Sequence, residues 1–169
     1  MDKNYIRKEA LKDRKNYDSN TISKKVLDTI IEKNLLDKFK RIGIYYPIGN
    51  EINIMGLIDH YKDKEFYLPK TNEEIEFIHY KKGDLLIDGP FKTKEPKGES
   101  VDRDLIECFI IPCVAISKSN QRIGYGKGYY DRYMKDYNGY KIGICYSCFG
   151  DVDINCDSFD IYLDTKILG

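Results

Sequence analysis

The N-terminal part of the chain carries its hydrophobic residues at the spacing of α-helices. Residues 3–17 form a charged segment that predicts a first helix. Lys3 and Arg7 would share one face of it, and Arg14 would continue that stripe two turns on. Polar residues 18–20 are good helix-capping residues and predict a break. A second helix is expected after them, because one helical face carries Ile22, Val26, Leu27, Ile30, Ile31 and Leu35.

Further along, short hydrophobic runs bounded by proline and glycine predict β-strands. The expected strands are residues 41–47, 65–70, 74–80, 104–112, 140–146 and a final strand within 161–168. Helices are predicted at 53–64 and at about 128–137, and residues 81–103 read as a long surface loop of a kind that is often functional. The alternation of strands and helices predicts an α/β sandwich with a largely parallel sheet, in which ligands bind at the carboxyl ends of the strands.

Length and composition restrict the number of domains and the kinds of partner. A chain of 169 residues fits one domain over residues 1–169. The 28 basic and 28 acidic side chains balance, which disfavours a general nucleic-acid or membrane partner. The first residues are charged and contain no apolar run, so we expect a cytoplasmic protein. Five cysteines are expected to be reduced thiols, and Cys145 and Cys148 are more typical of half-buried thiols than of a zinc site.

The most distinctive stretch is RIGYGKGYYDRYM, residues 122–134. Glycines at 124, 126 and 128 let backbone N–H groups approach an anion, and Lys127 adds positive charge. Asp131 could hold Mg²⁺ beside nucleotide phosphates. The stretch matches neither the P-loop pattern nor the dinucleotide glycine pattern. A mobile turn before a helix, or a tyrosine-rich RNA-binding surface, fits the same residues.

Charged residues elsewhere also fit either a ligand-binding role or a position in solvent. Lys3 and Arg7 could reach a phosphate, but the residues alone favour a solvated basic face. Glu51 follows a strand and a turn, so it could point into a pocket or lie in water.

Taken together, these segments resemble the 5-formyltetrahydrofolate cyclo-ligase family, also called methenyltetrahydrofolate synthetases. The stretch from Arg122 is similar to that family's signature R-x-G-x-GKGYYDR. The family's other segments follow in the same order: K-x-x-x-R at Lys3, GIYYPIGNEIN, FYLPK, the Glu95–Pro96 pair, IIPCVAIS and SFDIYLD.

The resemblance implies a Rossmann-like three-layer sandwich with a largely parallel central sheet flanked by helices. It implies ATP- and Mg²⁺-dependent ring closure of 5-formyltetrahydrofolate to 5,10-methenyltetrahydrofolate, through phosphorylation of the formyl oxygen and attack by N10. A non-catalytic folate- or nucleotide-binding module of the same fold is the alternative. The expected partners are small molecules rather than nucleic acid or membrane, and the protein would be a monomer or a weak dimer.

The resemblance also assigns roles to residues. Lys127 and Arg122 would be catalytic, Tyr46 and Glu51 would bind folate, and Asp131 and Asp160 would hold Mg²⁺. ATP would be bound by Lys3, Arg7, Arg122, Ile123, Gly124, Tyr125, Gly126, Lys127, Gly128, Tyr129 and Tyr130. Neither zinc nor a catalytic thiol is expected in this family.

Overall fold

A computed structural model describes residues 2–169. The helices are α1 (Lys3–Asp13), α2 (Ser19–Glu32), α3 (Leu57–His60) and α4 (Tyr129–Tyr133), and a 3₁₀ turn at Arg14–Asn16 follows α1. The first two helices are confirmed where the sequence predicted them. Aspartates cap both: Asp2 accepts a hydrogen bond from the backbone N–H of Tyr5 at 2.8 Å, and Asp18 accepts one from Asn20 at 3.1 Å.

The main β-structure is a central, largely parallel sheet of six strands. In chain order, the strands within residues 2–169 are β1 (Arg41–Gly43), β2 (Glu65–Thr71), β3 (Ile75–Tyr80), β4 (Leu86–Asp88), β5 (Lys94–Pro96), β6 (Cys108–Pro112), β7 (Ala115–Ile116), β8 (Arg122–Ile123), β9 (Tyr140–Cys145) and β10 (Thr165–Leu168). Two short separate sheets are formed by β4 with β5 and by β7 with β8. The central sheet runs in the order β10-β9-β6-β1-β2-β3, and only the β2–β3 pairing within it is antiparallel. The predicted sandwich with a largely parallel sheet is confirmed.

Both faces of the sheet are buried, which explains the continuous hydrophobic runs. Alternate side chains of one strand enter different cores: Ile110 packs on the side of α2, with Val26 and Ile30. Its neighbour Ile111 packs on the opposite side, in a core that includes Met134 just after α4. Helical segments therefore cover the sheet on two sides and give three layers.

Two predicted helices are shorter than expected. The helix at 53–64 is wrong apart from the single turn α3, because Asn53 begins a turn instead. Its backbone N–H donates to Ser23 Oγ at 2.8 Å, and its side chain accepts from the N–H of Met55 at 2.9 Å. The helix at 128–137 reduces to α4, and soon afterwards Asp136 adopts a left-handed φ of 62° that a helix cannot continue through.

The predicted loop at 81–103 is more ordered than expected. It contains the antiparallel hairpin β4–β5, whose tip carries Phe91 and Lys92 at left-handed φ values of 59° and 60°. The hairpin is joined to β2 because Glu95 Oε2 accepts the backbone N–H of Thr71 at 2.7 Å. A second short hairpin, β7–β8, was not predicted, and it leads directly into the glycine stretch.

Among residues 2–169, no helix is both long enough and apolar enough to cross a lipid bilayer.

Candidate active site

A cleft of about 680 Å³ opens at the carboxyl ends of β1, β2 and β6. This is the edge at which ligands bind in open α/β sheets. Nearly all of the residues that the resemblance singled out line it: Lys3, Arg7, Tyr46, Glu51, Arg122, Gly124, Tyr125, Gly126, Lys127, Gly128, Tyr129, Tyr130, Asp131 and Asp160. Ile123 is the exception, because its side chain is buried in a core with Ile6 and Ala115.

The glycine stretch forms one rim of the cleft. Gly126 and Gly128 have left-handed φ values of 98° and 74°, which other residues rarely adopt. Within residues 2–169, no backbone N–H group of residues 124–128 donates a hydrogen bond to another protein atom. Unpartnered donors beside a cleft are what an anion site requires. The helix that follows is only five residues long, so its dipole adds little.

Lys127 is exposed on this rim. Its Nζ lies 5.7 Å from the ring centre of Phe91, which reaches across from the tip of the β4–β5 hairpin. Within residues 2–169, no carboxylate lies at ion-pair distance from Lys127. Its charge is therefore available to a ligand.

Arg122 supplies a second, buried positive charge, with a side chain only 8% exposed. Its Nε donates to the carbonyl oxygen of Pro112 at 2.7 Å, and its guanidinium lies 4.6 Å from the ring centre of Tyr130. A Cβ atom on Gly124 would lie 2.4 Å from Nη1 of Arg122. Glycine at 124 thus makes room for the guanidinium as well as for a ligand.

Helix α1 brings two more cations to the cleft. Arg7 Nε donates to the carbonyl oxygen of Gly124 at 2.7 Å. Lys3 Nζ forms an ion pair with Asp157 at 2.8 Å and another with Asp160. Both basic side chains are partly buried against the site, so the interpretation of a solvated basic face is wrong.

Two carboxylates lie at the same end of the cleft. Asp160 is buried, and besides Lys3 it accepts the backbone N–H of Asp157 at 2.8 Å. Asp131 has only a long 3.4 Å contact from the N–H of Ile161. Burial raises the pKa of Asp131, and the nearby negative charge of Asp160 adds to this, whereas Arg122 lowers it. Asp131 is therefore a poorly partnered carboxylate that a cation would stabilise.

These carboxylates do not make a closed metal cage. Among residues 2–169, no group of three or more His, Cys, Asp or Glu side chains is placed to hold a metal ion. Mg²⁺ in nucleotide sites commonly uses one or two carboxylates together with phosphate oxygens and water. The donor set therefore fits Mg²⁺ that arrives with a nucleotide.

Glu51 also lines the cleft and is only 6% exposed. Its Oε1 accepts the backbone N–H of Ile48 at 2.7 Å, and its Oε2 accepts the hydroxyl of Tyr125 at 3.1 Å. Burial raises the pKa of Glu51, while the Ile48 N–H, Arg14 and Tyr125 favour its charged form. The interpretation of a loop carboxylate in water is therefore wrong.

The structure adds site residues that the sequence did not single out. Phe91, 56% exposed, comes from the hairpin inside the predicted loop, whose length and composition were a general signal of function. Asp157 pairs with Lys3 but carried no motif of its own. Arg14 does not line the cleft, yet it donates to Tyr125 behind it, and the basic stripe it shares with Lys3 and Arg7 was the available signal.

The C-x-x-C cysteines lie in different environments. Cys145 is buried, and burial raises its pKa well above the usual thiol value, whereas Cys148 is exposed. The Cys148 sulfur lies 2.9 Å from the hydroxyl of Tyr17. A thiol whose pKa is raised by burial is a poor nucleophile, so Cys145 acts as a small apolar side chain.

The fold and the cleft define a class of protein: an α/β protein whose cleft joins a basic, glycine-rich rim to a buried carboxylate. Comparisons with known proteins give the family. The model of the 5-formyltetrahydrofolate cyclo-ligase family matches residues 1–165. The chain is 35% identical to the 5-formyltetrahydrofolate cyclo-ligase of Mycoplasma pneumoniae, over 99% of this chain and 98% of that protein.

Solved structures agree with this match. The 5,10-methenyltetrahydrofolate synthetase of Aquifex aeolicus superposes with a TM-score of 0.85 at 32% identity, covering 98% of this chain and 89% of that one. The Mycoplasma pneumoniae synthetase gives a TM-score of 0.81 at 31% identity, covering 99% and 98%. The chain belongs to the 5-formyltetrahydrofolate cyclo-ligase family.

Proposed function

We propose that the protein is a 5-formyltetrahydrofolate cyclo-ligase that uses ATP to form 5,10-methenyltetrahydrofolate, ADP and phosphate. The observation that carries the proposal is the row of unpartnered backbone N–H groups at 124–128, with Lys127 and Arg122 beside it. This row shares one cleft with the buried carboxylate of Glu51. An anion site and a polar small-molecule site thus meet within a single cavity.

The chemistry explains why both sites are needed. The formyl group on N5 is an amide, so its carbon is a poor electrophile and its oxygen a poor leaving group. Transfer of the γ-phosphoryl group to that oxygen forms an O–P bond and releases ADP. N10 then attacks the activated carbon and loses its proton, the carbon–oxygen bond breaks, and phosphate leaves with the former formyl oxygen. Phosphoryl transfer of this kind depends mainly on positioning and charge stabilisation.

Positively charged side chains are proposed to hold the ATP phosphates. Lys127 has no competing ion pair among residues 2–169, so it can neutralise charge that develops on the transferred group. Arg122 is held in place by Pro112 and Tyr130 and presents a preorganised guanidinium. Arg7 supports the loop through Gly124, and Lys3 lines the same cleft beside Asp160.

Mg²⁺ is proposed to bind through Asp131, together with oxygen atoms of the nucleotide. Bound Mg²⁺ would neutralise phosphate charge. Asp160 forms an ion pair with Lys3. Attraction of Lys3 to a phosphate would weaken that pair and leave Asp160 free to join Asp131.

Folate is proposed to bind between Glu51 and the aromatic side chains of the cleft. The Glu51 carboxylate can accept hydrogen bonds from N–H donors of the pterin. Tyr46 and Phe91 line the same cavity and offer flat apolar surfaces. The reactants are small molecules, and the expectations of a single domain, a monomer or weak dimer, and a cytoplasmic location stay predictions.

The direct test is turnover with purified protein, folinic acid and Mg-ATP. The absorbance of the methenyl product should appear only when all three are present. A folded protein that forms no product would overturn the proposal.

A further inference from the structure

Arg14 is a buried arginine outside the cleft wall. It is 7% exposed, and within residues 2–169 no carboxylate lies at ion-pair distance from it. Its Nε donates to Asn50 Oδ1 at 2.7 Å, and its Nη2 donates to the hydroxyl of Tyr125 at 2.7 Å. Burial of a guanidinium costs free energy of desolvation unless hydrogen bonds satisfy its N–H groups.

The hydroxyl of Tyr125 links Arg14 to Glu51. Arginine can only donate, so the Tyr125 oxygen accepts from Arg14 and its single hydrogen points to Glu51 Oε2, 3.1 Å away. Burial and the charge of Glu51 raise the pKa of Tyr125 to about 12, so the hydroxyl keeps its hydrogen at neutral pH. The direction of both hydrogen bonds is therefore fixed.

The loop that carries Glu51 is held at a second point. Asn50 accepts from Arg14 through its side chain, and its backbone carbonyl accepts the hydroxyl of Tyr146 at 2.5 Å. Arg14 thus reaches both Glu51 and its neighbour in the chain, one through Tyr125 and the other directly.

Tyr125 belongs to the phosphate rim, between Gly124 and Gly126. The residue is 41% exposed, so the hydroxyl contacts restrain a side chain that is otherwise partly open to solvent. A nucleotide at this rim would restrain the rim's backbone. The Tyr125 side chain would transmit that restraint to Glu51.

We propose that Arg14 is a positioning residue that couples the two substrate sites, holding Glu51 through the hydroxyl of Tyr125 and through Asn50. Nucleotide bound at the glycine rim then orders Tyr125 and places Glu51 for folate, so each substrate tightens the binding of the other. This inference rests on the proposed function, in which the rim binds ATP and Glu51 binds folate. Such coupling is reciprocal by thermodynamic necessity.

The test measures folinate binding by calorimetry, with and without a non-hydrolysable ATP analogue and Mg²⁺. In the wild-type protein the analogue should tighten folinate binding by roughly fivefold or more. In Tyr125→Phe, which keeps the ring and removes the hydroxyl, this factor should fall close to one. Affinity for the analogue is also measured without folinate, which separates any direct loss of nucleotide contacts at the rim from the loss of coupling.

Arg14→Lys should reduce the coupling factor as well, since one ammonium group cannot replace both guanidinium contacts. Combined with Tyr125→Phe, it should add little further loss, because the two residues act in one chain of hydrogen bonds. In steady-state kinetics, Tyr125→Phe should raise the KM for folinate at saturating ATP and, because the coupling is reciprocal, the KM for ATP at saturating folinate. Tyr17→Phe is the matched control, since its hydroxyl contacts Cys148, and it should behave as wild type.

Wild-type coupling that persists in Tyr125→Phe, or its absence in the wild-type protein, would overturn this inference while leaving the proposed function intact. A wild-type protein that neither binds nor converts folinate would overturn both.

Discussion

Arg7 donates a hydrogen bond from Nε to the carbonyl oxygen of Gly124 at 2.7 Å, across 117 positions of the chain. Its Nη1 donates to Asn4 at 2.9 Å, so the guanidinium is oriented from its own helix. The nearest guanidinium atom would be 3.4 Å from a Cβ on Gly126. Helix α1 is therefore a structural support of the glycine rim, which is packed rather than a free turn.

Arg7→Ala should weaken ATP binding, because the rim loses a charge-assisted hydrogen bond as well as a cation. Hydrogen bonds to charged groups are worth about 1.5–3 kcal/mol, so the KM for ATP should rise by roughly tenfold to a hundredfold. Lys8→Ala, an exposed neighbour on the same helix, is the control and should leave the KM unchanged. An equal effect of the two substitutions would remove Arg7 from the site.

Lys127→Ala should lower kcat strongly and leave stability almost unchanged, since the side chain is exposed and has no ion pair among residues 2–169. Loss of a charge that stabilises a transition state typically costs about a hundredfold to a thousandfold in kcat. Lys135→Ala, also exposed, is the control for removal of a surface charge. Turnover at the wild-type rate in Lys127→Ala would exclude the phosphate role.

Gly124→Ala should disturb Arg122, because the new Cβ would lie 2.4 Å from Nη1. Overpacking of this kind costs about 1–3 kcal/mol, and displacement of the guanidinium should also reduce ATP affinity. Thermal unfolding and nucleotide titration report the two effects. Gly56→Ala is a milder control, since its Cβ would meet a flexible leucine terminus at 3.1 Å, and matching losses in both variants would argue against a special role for Gly124.

Glu51→Gln should weaken folinate binding and stabilise the fold, and the gain in stability should depend on pH. Burial raises the pKa of Glu51 above its usual value of about 4.5, even though Arg14, Arg122 and Tyr125 oppose the shift. The folded state then binds a proton more tightly than the unfolded chain, so the carboxylate lowers the free energy of unfolding above that pH range. This penalty disappears as the pH falls below the usual value.

At neutral pH, therefore, Glu51→Gln should raise Tm, and the gain should shrink toward pH 4. Folinate affinity should fall at the same time, since a buried carboxylate acceptor is lost. Glu99→Gln, which removes an exposed carboxylate, should change neither quantity. A lower Tm for Glu51→Gln at neutral pH would show that the surrounding donors outweigh burial.

Local patterns predicted much of the fold. The capping residues before α2, and the apolar runs of the central strands, depend on near neighbours in the chain. The start of α3 could not be predicted in the same way, because Asn53 is held by Ser23, a residue in another helix. Strand order and the β7–β8 hairpin likewise depend on pairings between distant segments.

The residues of the candidate site likewise divide into those that local sequence identifies and those whose position depends on tertiary packing. The glycine stretch and Lys127 could be chosen from sequence, because their residue types carry the signal themselves. The cleft position of Lys3 and Arg7 required the resemblance, since a basic helical face alone is more often solvated. The contacts of Arg14 with Asn50 and Tyr125 had no signal beyond a shared stripe, because burial of a charge is decided by tertiary packing.

The measurement that tests the account most directly is the stoichiometry of turnover. Purified wild-type protein is given folinic acid and Mg-ATP, and ADP and methenyl product are followed together. The account predicts that both form in equal amounts, that neither forms when one substrate is omitted, and that Lys127→Ala loses both together. ADP release without methenyl product, from folded protein in the presence of folinate, would contradict it.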